Sequence, residues 1–328
     1  MKLDLLIPHL LSPPSAAVQL SACPLLETWL ARSVMCDASP DYHAQLFSLL
    51  NLPSTISLAY LSSLADGCDT AYSYWRADPV QFQAQSDHAL LRDGQSLNIT
   101  SDEAAQLVLA FNQHFAADGV QLFAATPQRW YLQSQPRMSM QTTPTTNVIA
   151  RNVRHFLPQG ADAVRWRKIM TEAQMLFYAH PVNQQREASG QFTINSLWLW
   201  GEGSREPVVA NSSVTVYANE VIACGGATLL KALCLSCEDW QQQPVPGLLV
   251  LDDLIMAASY ADAAEWQRGF DQLCQHTLPR IFNAFKDRKI TQINLYPADG
   301  RCFTLQINDL NKFWRWRKPL AHWMRYEN

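Results

Sequence analysis

Charged side chains are scarce in this sequence, and their scarcity excludes one large class of protein. Asp, Glu, Lys and Arg make up 16% of the 328 residues, against roughly 25% in a typical soluble domain. The formal net charge of −4 provides no basic surface of the kind that binds a nucleic-acid backbone. We therefore expect no nucleic-acid partner.

Long apolar runs are also missing. No segment approaches the roughly 18 consecutive apolar residues of a membrane span. The apolar start Met1–Leu11 is interrupted by Asp4, Pro8 and His9, unlike a secretory signal. We expect a cytoplasmic protein without a membrane span. Hydrophobic residues still make up 48% of the chain, enough for two average domains or one large α/β domain with an insertion.

Common catalytic fingerprints are absent as well: the chain contains no P-loop, no Rossmann glycine motif and no Gly-x-Ser-x-Gly elbow. Its eight cysteines are scattered, which favours buried, reduced thiols. The CxxC pair Cys234 and Cys237 has no second pair or nearby histidine to complete a zinc site. We expect both sulfurs on a helix that begins near Gly225 and faces the core. A redox role is the weaker alternative.

Apolar periodicity predicts strands that alternate with helices. Strands are predicted at 3–11, 75–82, 120–124, 129–133, within 193–203, and at 213–217, 247–251, 292–296 and 302–307. Helices are predicted at 23–31, from Thr100 to Phe115, and at 162–178, 225–235 and 265–286. This alternation favours an α/β protein with a mostly parallel sheet covered on both faces, while the hairpin-rich centre favours an insertion.

One polar cluster and one Trp-rich segment stand out as a candidate ligand site. Arginine binds carboxylate or phosphate in a bidentate fork, and His and Asn add directional donors. The alternative is that Arg76 pairs with Asp78 and that the histidine and asparagine only hold a turn around Pro181. The candidate ligand-binding residues are Arg76, His180, Asn183, Arg186, Asn195, Trp198, Trp200, Gly201 and Gly203.

The tryptophans of that segment alternate with leucines, so Trp198 and Trp200 face the same side of a predicted strand. They are either core residues or a stacking wall for a ligand ring. Gly201 and Gly203 end the strand, and glycine lets a backbone approach a ligand closely.

The segments His180–Arg186 and Thr193–Gly203 resemble a part of the archaeal-type cofactor-independent phosphoglycerate mutases, of the alkaline-phosphatase superfamily. Trp75–Val80 and Arg129–Leu132 extend this resemblance. The match to the RpfE-type regulatory proteins, shortened relatives of those mutases, is more specific, because it includes the Trp-Leu-Trp-Gly segment and the Trp/Arg-rich C-terminus. The resemblance implies a three-layer, mostly parallel central sheet of alkaline-phosphatase-like topology with an inserted α+β subdomain. The α/β core would comprise 1–75 and 190–328, and the insertion 76–189.

The resemblance also implies a site with two divalent metals and a Ser or Thr nucleophile, with an Asp-Gly metal ligand after the first strand. Here that strand ends Ile7-Pro8-His9. Asp252, Asp253 and Asp262 are weak candidates for remaining metal ligands, or else they cap the next element or stay solvated.

We therefore expect a non-catalytic, mutase-like protein with a binding or regulatory role that retains an anion-binding cleft. No cofactor is expected, and the predicted ligand is a small phosphorylated or carboxylated metabolite. A phosphotransferase or mutase with a rearranged metal site is one alternative.

The other alternative is a protein-interaction module that acts through the C-terminal segment Lys312–Arg325, where Trp and Arg alternate. A membrane surface is a further partner that such a composition suits. For the segment itself, we expect Phe313, Trp316 and Trp323 to dock on the body of the protein and the arginines to stay in water.

Overall fold

The computed structural model describes residues 1–16, 18, 20–69, 71–85, 89–135, 138–202 and 214–326. Over these residues the strands are β1 Lys2–Leu6, β2 Val34–Asp37, β3 Tyr74–Ala84, β4 Ala89–Arg92, β5 Val120–Thr126, β6 Arg129–Ser134, β7 Ser196–Trp200, β8 Val216–Tyr217, β9 Cys234–Leu235, β10 Gly247–Val250, β11 Gln292–Tyr296 and β12 Arg301–Gln306. The α-helices are α1 Pro24–Arg32, α2 Tyr42–Leu50, α3 Leu58–Ala65, α4 Ser101–His114, α5 Ala163–Tyr178, α6 Pro181–Ala188, α7 Val221–Leu229, α8 Cys237–Gln242, α9 Ile255–Ser259, α10 Ala263–Gln272 and α11 Leu278–Lys286.

The chain divides into two compact units. Unit 1 comprises Met1–Ser54 and Pro207–Asn328, and unit 2 comprises Thr55–Glu206. The insertion proposed from the sequence, 76–189, lies within unit 2. The Trp-rich strand β7, which the sequence analysis assigned to the core, also lies there, because it pairs with β3.

Unit 1 is built on a seven-stranded mixed sheet in the order β2-β12-β11-β1-β10-β8-β9. Strand β1 runs parallel to both of its neighbours, β10 and β11, and β12 returns antiparallel to β11 as the predicted hairpin. Leu3, Leu5 and Leu6 of β1 are fully buried, as expected for a central strand of a parallel sheet. The α/β class is thus confirmed, whereas the three-layer arrangement stays a prediction.

Unit 2 contains a five-stranded antiparallel sheet. The eleven-residue strand β3 pairs with β4, β6 and β7 along different parts of its length. Trp130 and Trp166 are fully buried in the core of this unit. The predicted helix after Thr100 is α4, and it begins with a capping box in which Thr100 and Glu103 satisfy each other's backbone N–H groups.

One prediction about unit 1 was wrong. The CxxC pair does not lie on one helix, because Cys234 begins β9 and Cys237 begins α8. The predicted long helix 265–286 is present as α10 and α11, which are joined without a break by a π-helical turn at Leu273–Thr277. Within the described part of the chain, no helix combines the length and hydropathy needed to cross a bilayer.

Candidate functional site

Arg76 lies in β3 and is buried in a polar network within unit 2. Its Nε and Nη2 donate to Oδ1 of Asp78 at 3.0 and 2.7 Å, and both residues are less than 8% exposed. The indole N–H of Trp200 donates to the other carboxylate oxygen of Asp78 at 2.7 Å. The guanidinium carbon lies 4.8 Å from the centre of the Trp200 ring, within cation–π range. Arg76 therefore has an internal counter-ion, which was the alternative interpretation of its position.

The network continues away from Asp78. Arg76 Nη1 donates to the hydroxyl of Ser62 at 3.0 Å, and this hydroxyl is hydrogen-bonded to the phenol of Tyr131. Tyr131 donates in turn to Asp66 at 2.6 Å, which also pairs with Arg129. Burial raises the pKa of Tyr131 well above its usual value, so this phenol is a donor at any physiological pH.

The segment predicted as a ligand-binding cluster forms helix α6. His180 is its N-cap, with Nδ1 accepting from the N–H of Val182 at 3.3 Å. Pro181 occupies the first helical turn, where its missing N–H costs nothing. Burial lowers the pKa of His180. This residue thus starts a helix.

Asn183 and Arg186 connect α6 to its surroundings in unit 2. The amide of Asn183 donates to the carbonyls of Phe177 and Ile194, both at 2.8 Å, and accepts from the N–H of Ile194. Arg186 Nη1 lies 2.8 Å from both carboxylate oxygens of Glu103. Its Nε donates to the carbonyl of Phe192, its Nη2 donates to the carbonyl of Leu97, and the residue is 2% exposed.

The other predicted ligand contacts are also internal. Asn195 exchanges two hydrogen bonds with the backbone of Phe82, and the indole of Trp198 donates to the carbonyl of Thr143. All five residues of β7 are buried, which favours a core role for its tryptophans over a stacking wall. Gly203 lies outside the described residues.

Gly201 approaches a helix. Its φ of +88° is in the left-handed region, and its carbonyl accepts from the hydroxyl of Ser57 and the N–H of Ala59 at the start of α3. A Cβ at this position would lie 2.8 Å from the Ala59 nitrogen. The close approach expected of this glycine is therefore made to the protein's own backbone.

Arg76 and Arg186 share no hydrogen-bond partner among the described residues, and each is paired with a different carboxylate. Each guanidinium group is thus already paired within the protein, and convergence of the two on one anion pocket stays a prediction. Anion binding by these residues stays a prediction, and the internal ion pairs oppose it.

Unit 1 contains an open cleft of about 320 Å³ beside the carboxyl ends of its strands. Ligands of open α/β sheets commonly bind at this edge. Asn219 follows β8, and Asp252 and Asp253 follow β10. The polar residues that line the cleft are Asn219, Glu238, Gln241, Asp252, Asp253, Gln272, His276 and Thr277.

The π-helical turn forms part of this cleft. His276 and Thr277 both belong to the turn Leu273–Thr277 and both line the cleft. Single π-helical turns inside longer helices occur frequently at functional sites. This edge of unit 1 is consequently the best candidate for a ligand site.

Carboxylates dominate the electrostatics at this edge. Burial, aided by the neighbouring Asp253, raises the pKa of Asp252, and burial with the charge of Asp252 raises the pKa of Glu220. Tyr42 donates to Glu220 at 3.0 Å. Burial, together with Glu220 and Asp252, raises the pKa of this phenol well above its usual value. The acids repel one another, which favours a cation or a hydrogen-bond donor in this region.

The three candidate metal ligands do not act alike. Asp252 and Asp253 line the cleft, whereas Asp262 caps α10 by accepting from the N–H groups of Ala264 and Glu265. In the described ranges no group of three or more His, Cys, Asp or Glu side chains is arranged to hold a metal ion.

The turn after β1 is tied into unit 1. The N–H of His9 donates to the carbonyl of Pro297 at 3.1 Å, and the carbonyl of His9 accepts from the indole of Trp266 at 3.1 Å. Its φ is +62°. The segment Ile7-Pro8-His9 is thus a structural turn fixed from two sides.

Sequence reasoning missed Asn219, Glu220, Tyr42 and His276. Asn219 and Glu220 directly follow a predicted strand, so the rule that carboxyl ends of parallel strands meet at one edge could have found them. No sequence signal identifies His276, because the π-helical turn has no simple pattern.

Comparisons with known proteins relate this chain to one enzyme family. Residues 66–183 match the family model described as 2,3-bisphosphoglycerate-independent phosphoglycerate mutase. The mutase of that description from Methanosarcina mazei is 23% identical over 162 residues, which cover 48% of this chain and 40% of the relative. The one from Methanothrix thermoacetophila is 26% identical over 187 residues, covering 57% and 46%. The aligned segments thus span less than half the length of these relatives.

The fold is shared with a solved structure, the PH0037 protein from Pyrococcus horikoshii. The TM-score is 0.54 at 12% identity, and the alignment covers 93% of this chain and 87% of that one. The family-model match lies within unit 2, so the cleft of unit 1 is outside it. The predicted resemblance to the mutases is confirmed, and the narrower RpfE-type assignment stays a prediction.

Proposed function

We propose that this chain is a mutase-like protein of the RpfE type that has a binding or regulatory role and does not interconvert phosphoglycerates. The turn after β1 is the observation on which the proposal depends. The resemblance implies a metal-binding aspartate there, and this chain has Pro8 and His9 in a turn that bonds to Pro297 and Trp266. A two-metal phosphoryl transfer requires ligands that fix both ions.

The arginines support the same proposal. Arg76 and Arg186 are neutralised by Asp78 and Glu103, and breaking a buried ion pair to release an arginine for a substrate costs about 3–5 kcal/mol. A phosphorylated acid that binds to these arginines would have to compensate this free energy before it could react.

We place the ligand of this protein in the cleft of unit 1. Glu238, Asp252 and Asp253 contribute carboxyl groups to this cleft, while Asn219 and His276 contribute further hydrogen-bonding groups. This chemistry favours a cationic or hydroxyl-rich solute over the phosphorylated or carboxylated metabolite expected from the sequence, because like charges repel.

Calorimetric titration tests the ligand class. Spermidine, representing cations, and glycerol, representing hydroxyl-rich solutes, are titrated in parallel with 3-phosphoglycerate. Binding of either of the first two, weakened in Asp252→Asn, is the expected result, with Asp262→Asn as a control carboxylate outside the cleft. Uptake of 3-phosphoglycerate alone, lost in Arg186→Ala but not in Asp252→Asn, would contradict this assignment.

One observation favours a second function, a phosphotransferase with a rearranged metal site. Asp252 and Asp253 are adjacent carboxylates at the end of a parallel strand, and oxygen ligands of this kind suit Mg²⁺. The capping role of Asp262 removes the third carboxylate of that hypothesis. Elemental analysis of the purified protein distinguishes the two functions, since the second requires stoichiometric divalent metal.

A further inference from the structure

The C-terminal segment Asp309–Tyr326 is held on unit 1 by its cations. Arg315 Nη1 donates to the carbonyls of Arg32 and Ser33 at 3.2 and 2.8 Å. Arg317 Nε lies 3.2 Å from a carboxylate oxygen of Glu27. These contacts fix the backbone on either side of Trp316. They correct the expectation that the arginines of this segment stay in water for Arg315, which is partly buried, whereas Arg317 and Arg325 are exposed as expected.

The following residues anchor the segment a second time. Leu320 is 3% exposed, and its N–H donates to Glu27 at 3.1 Å. The ring of Trp323 packs edge-on against Phe303 with centroids 5.8 Å apart, and the carbonyl of Trp323 accepts from Arg301. Of the three aromatics expected to dock on the body of the protein, Trp323 does so, whereas the expectation was wrong for Phe313 and Trp316, which are exposed.

The other aromatics of the segment point into solvent. Phe313 is 79% exposed, Trp314 is 60% exposed and Trp316 is 84% exposed. Phe313 and Trp314 contact each other edge to face at 5.3 Å. These three exposed rings lie within four consecutive residues, on a backbone fixed from both sides, and large exposed apolar side chains of this kind mark an interaction surface. We call these three residues the aromatic patch.

The charge around the aromatic patch is positive. Four cations, Lys312, Arg315, Arg317 and Lys318, flank the three rings in sequence. Two acids compensate, since Asp309 pairs with Lys312 and Glu27 pairs with Arg317. Four cations less two acids leave a surplus of two positive charges. A second copy of the chain would bring the same surplus to the contact, so self-association through this patch is opposed by like-charge repulsion.

We propose that the aromatic patch inserts into the interface of an anionic lipid bilayer, with the surrounding cations facing the headgroups. Tryptophan rings are enriched at the headgroup level of membranes, and Lys and Arg side chains are attracted to the negative surface potential of anionic lipids. Because Arg315 and Arg317 already hold the backbone, the rings are presented without the ordering cost that a disordered segment would have on binding.

Co-sedimentation of the full chain with vesicles tests this proposal. Phosphatidylcholine vesicles with and without phosphatidylserine are compared for the wild type and for the double variant Trp314→Ser/Trp316→Ser. Tyr178→Ser in unit 2 is the matched control, because Tyr178 is 81% exposed and lies outside the segment. We expect binding to the anionic vesicles that falls with added salt, weakens at least about tenfold in the double variant and is unchanged in the control.

Several outcomes would overturn the proposal. One is that the folded wild type does not bind anionic vesicles. Another is that the double variant binds them as well as the wild type does. A concentration-dependent dimer that the double variant loses in sedimentation equilibrium would assign the patch to a second copy. A protein captured through the patch, in the absence of vesicle binding, would assign it to a protein partner. Circular dichroism of each variant confirms that the fold is intact.

Discussion

Replacement of Arg186 by alanine separates a structural role for this residue from a ligand-binding one. Its guanidinium contacts Glu103 and the carbonyls of Leu97 and Phe192, and it is 2% exposed. Truncation removes every one of these donors. Because α6 and the start of α4 both lie in unit 2, the loss should be felt in the stability of that unit.

The size of this loss in stability follows from the groups that are left without a partner when the guanidinium is removed. Breaking a buried ion pair by removing one partner costs about 3–5 kcal/mol, and each buried acceptor left without a donor costs about 1–3 kcal/mol. The Glu103 side chain is 19% exposed and keeps its capping bonds to Thr100, so water partly compensates this carboxylate. We therefore expect a loss at the lower end, about 3 kcal/mol.

Urea unfolding measures this loss, with the slope m checked for a change in the denatured state. Since the chain has two units, hydrogen exchange of the peptides that cover α6 should report on unit 2 directly. Arg167→Ala on the exposed face of α5 is the control, and it should change the free energy of unfolding by no more than about 0.5 kcal/mol. A loss below about 1 kcal/mol in Arg186→Ala, accompanied by loss of anion binding, would refute the structural role and revive the anion site.

Three further predictions follow from the geometry. Gly201→Ala should lower the free energy of unfolding by at least about 1–3 kcal/mol, because φ at this position is +88° and the new Cβ would meet Ala59. An unchanged melting temperature would contradict this prediction. Asp262→Ala should lower the free energy of unfolding by about 1 kcal/mol, because it removes the N-cap of α10. Asp253→Ala should leave the free energy of unfolding unchanged, so equal losses in the two variants would contradict this prediction. The folded-state pKa of Glu220 is raised above its usual 4.5, so its stabilising contribution is full below about pH 4.5 and is lost as pH rises through the folded pKa. Glu220→Gln should thus gain stability relative to wild type as the pH rises above about 4.5 in unfolding titrations, and a relative loss of stability there would contradict this direction.

Helices and turns were predicted well where the sequence signal lies within a few neighbouring residues. Thr100 followed by Glu103 is a capping box whose two partners are three residues apart, and α4 begins there. The turn before Gly300 joins two strands that pair as a hairpin. His180-Pro181 carried an equally local signal, Pro at the first helical position, which the interpretation as a ligand-binding cluster overlooked.

Long-range pairing was harder to infer. The partner of Arg186 is Glu103, 83 residues away, and nothing in the sequence ties the two together. The sequence of strand β7 is typical of a buried strand and would suit either unit. Only its pairing with β3 shows that it belongs to unit 2. The C-terminal segment illustrates the same limit, because Arg315 donates to the carbonyls of Arg32 and Ser33, more than 280 residues earlier in the chain.

A coupled phosphoglycerate mutase assay of the purified chain tests whether this protein lacks mutase activity. Turnover of 3-phosphoglycerate is followed with and without added Mn²⁺, alongside elemental analysis of the same sample. We expect no turnover above the uncatalysed background in either condition. Metal-dependent turnover with two stoichiometric divalent ions, abolished in Asp252→Asn/Asp253→Asn, would contradict it.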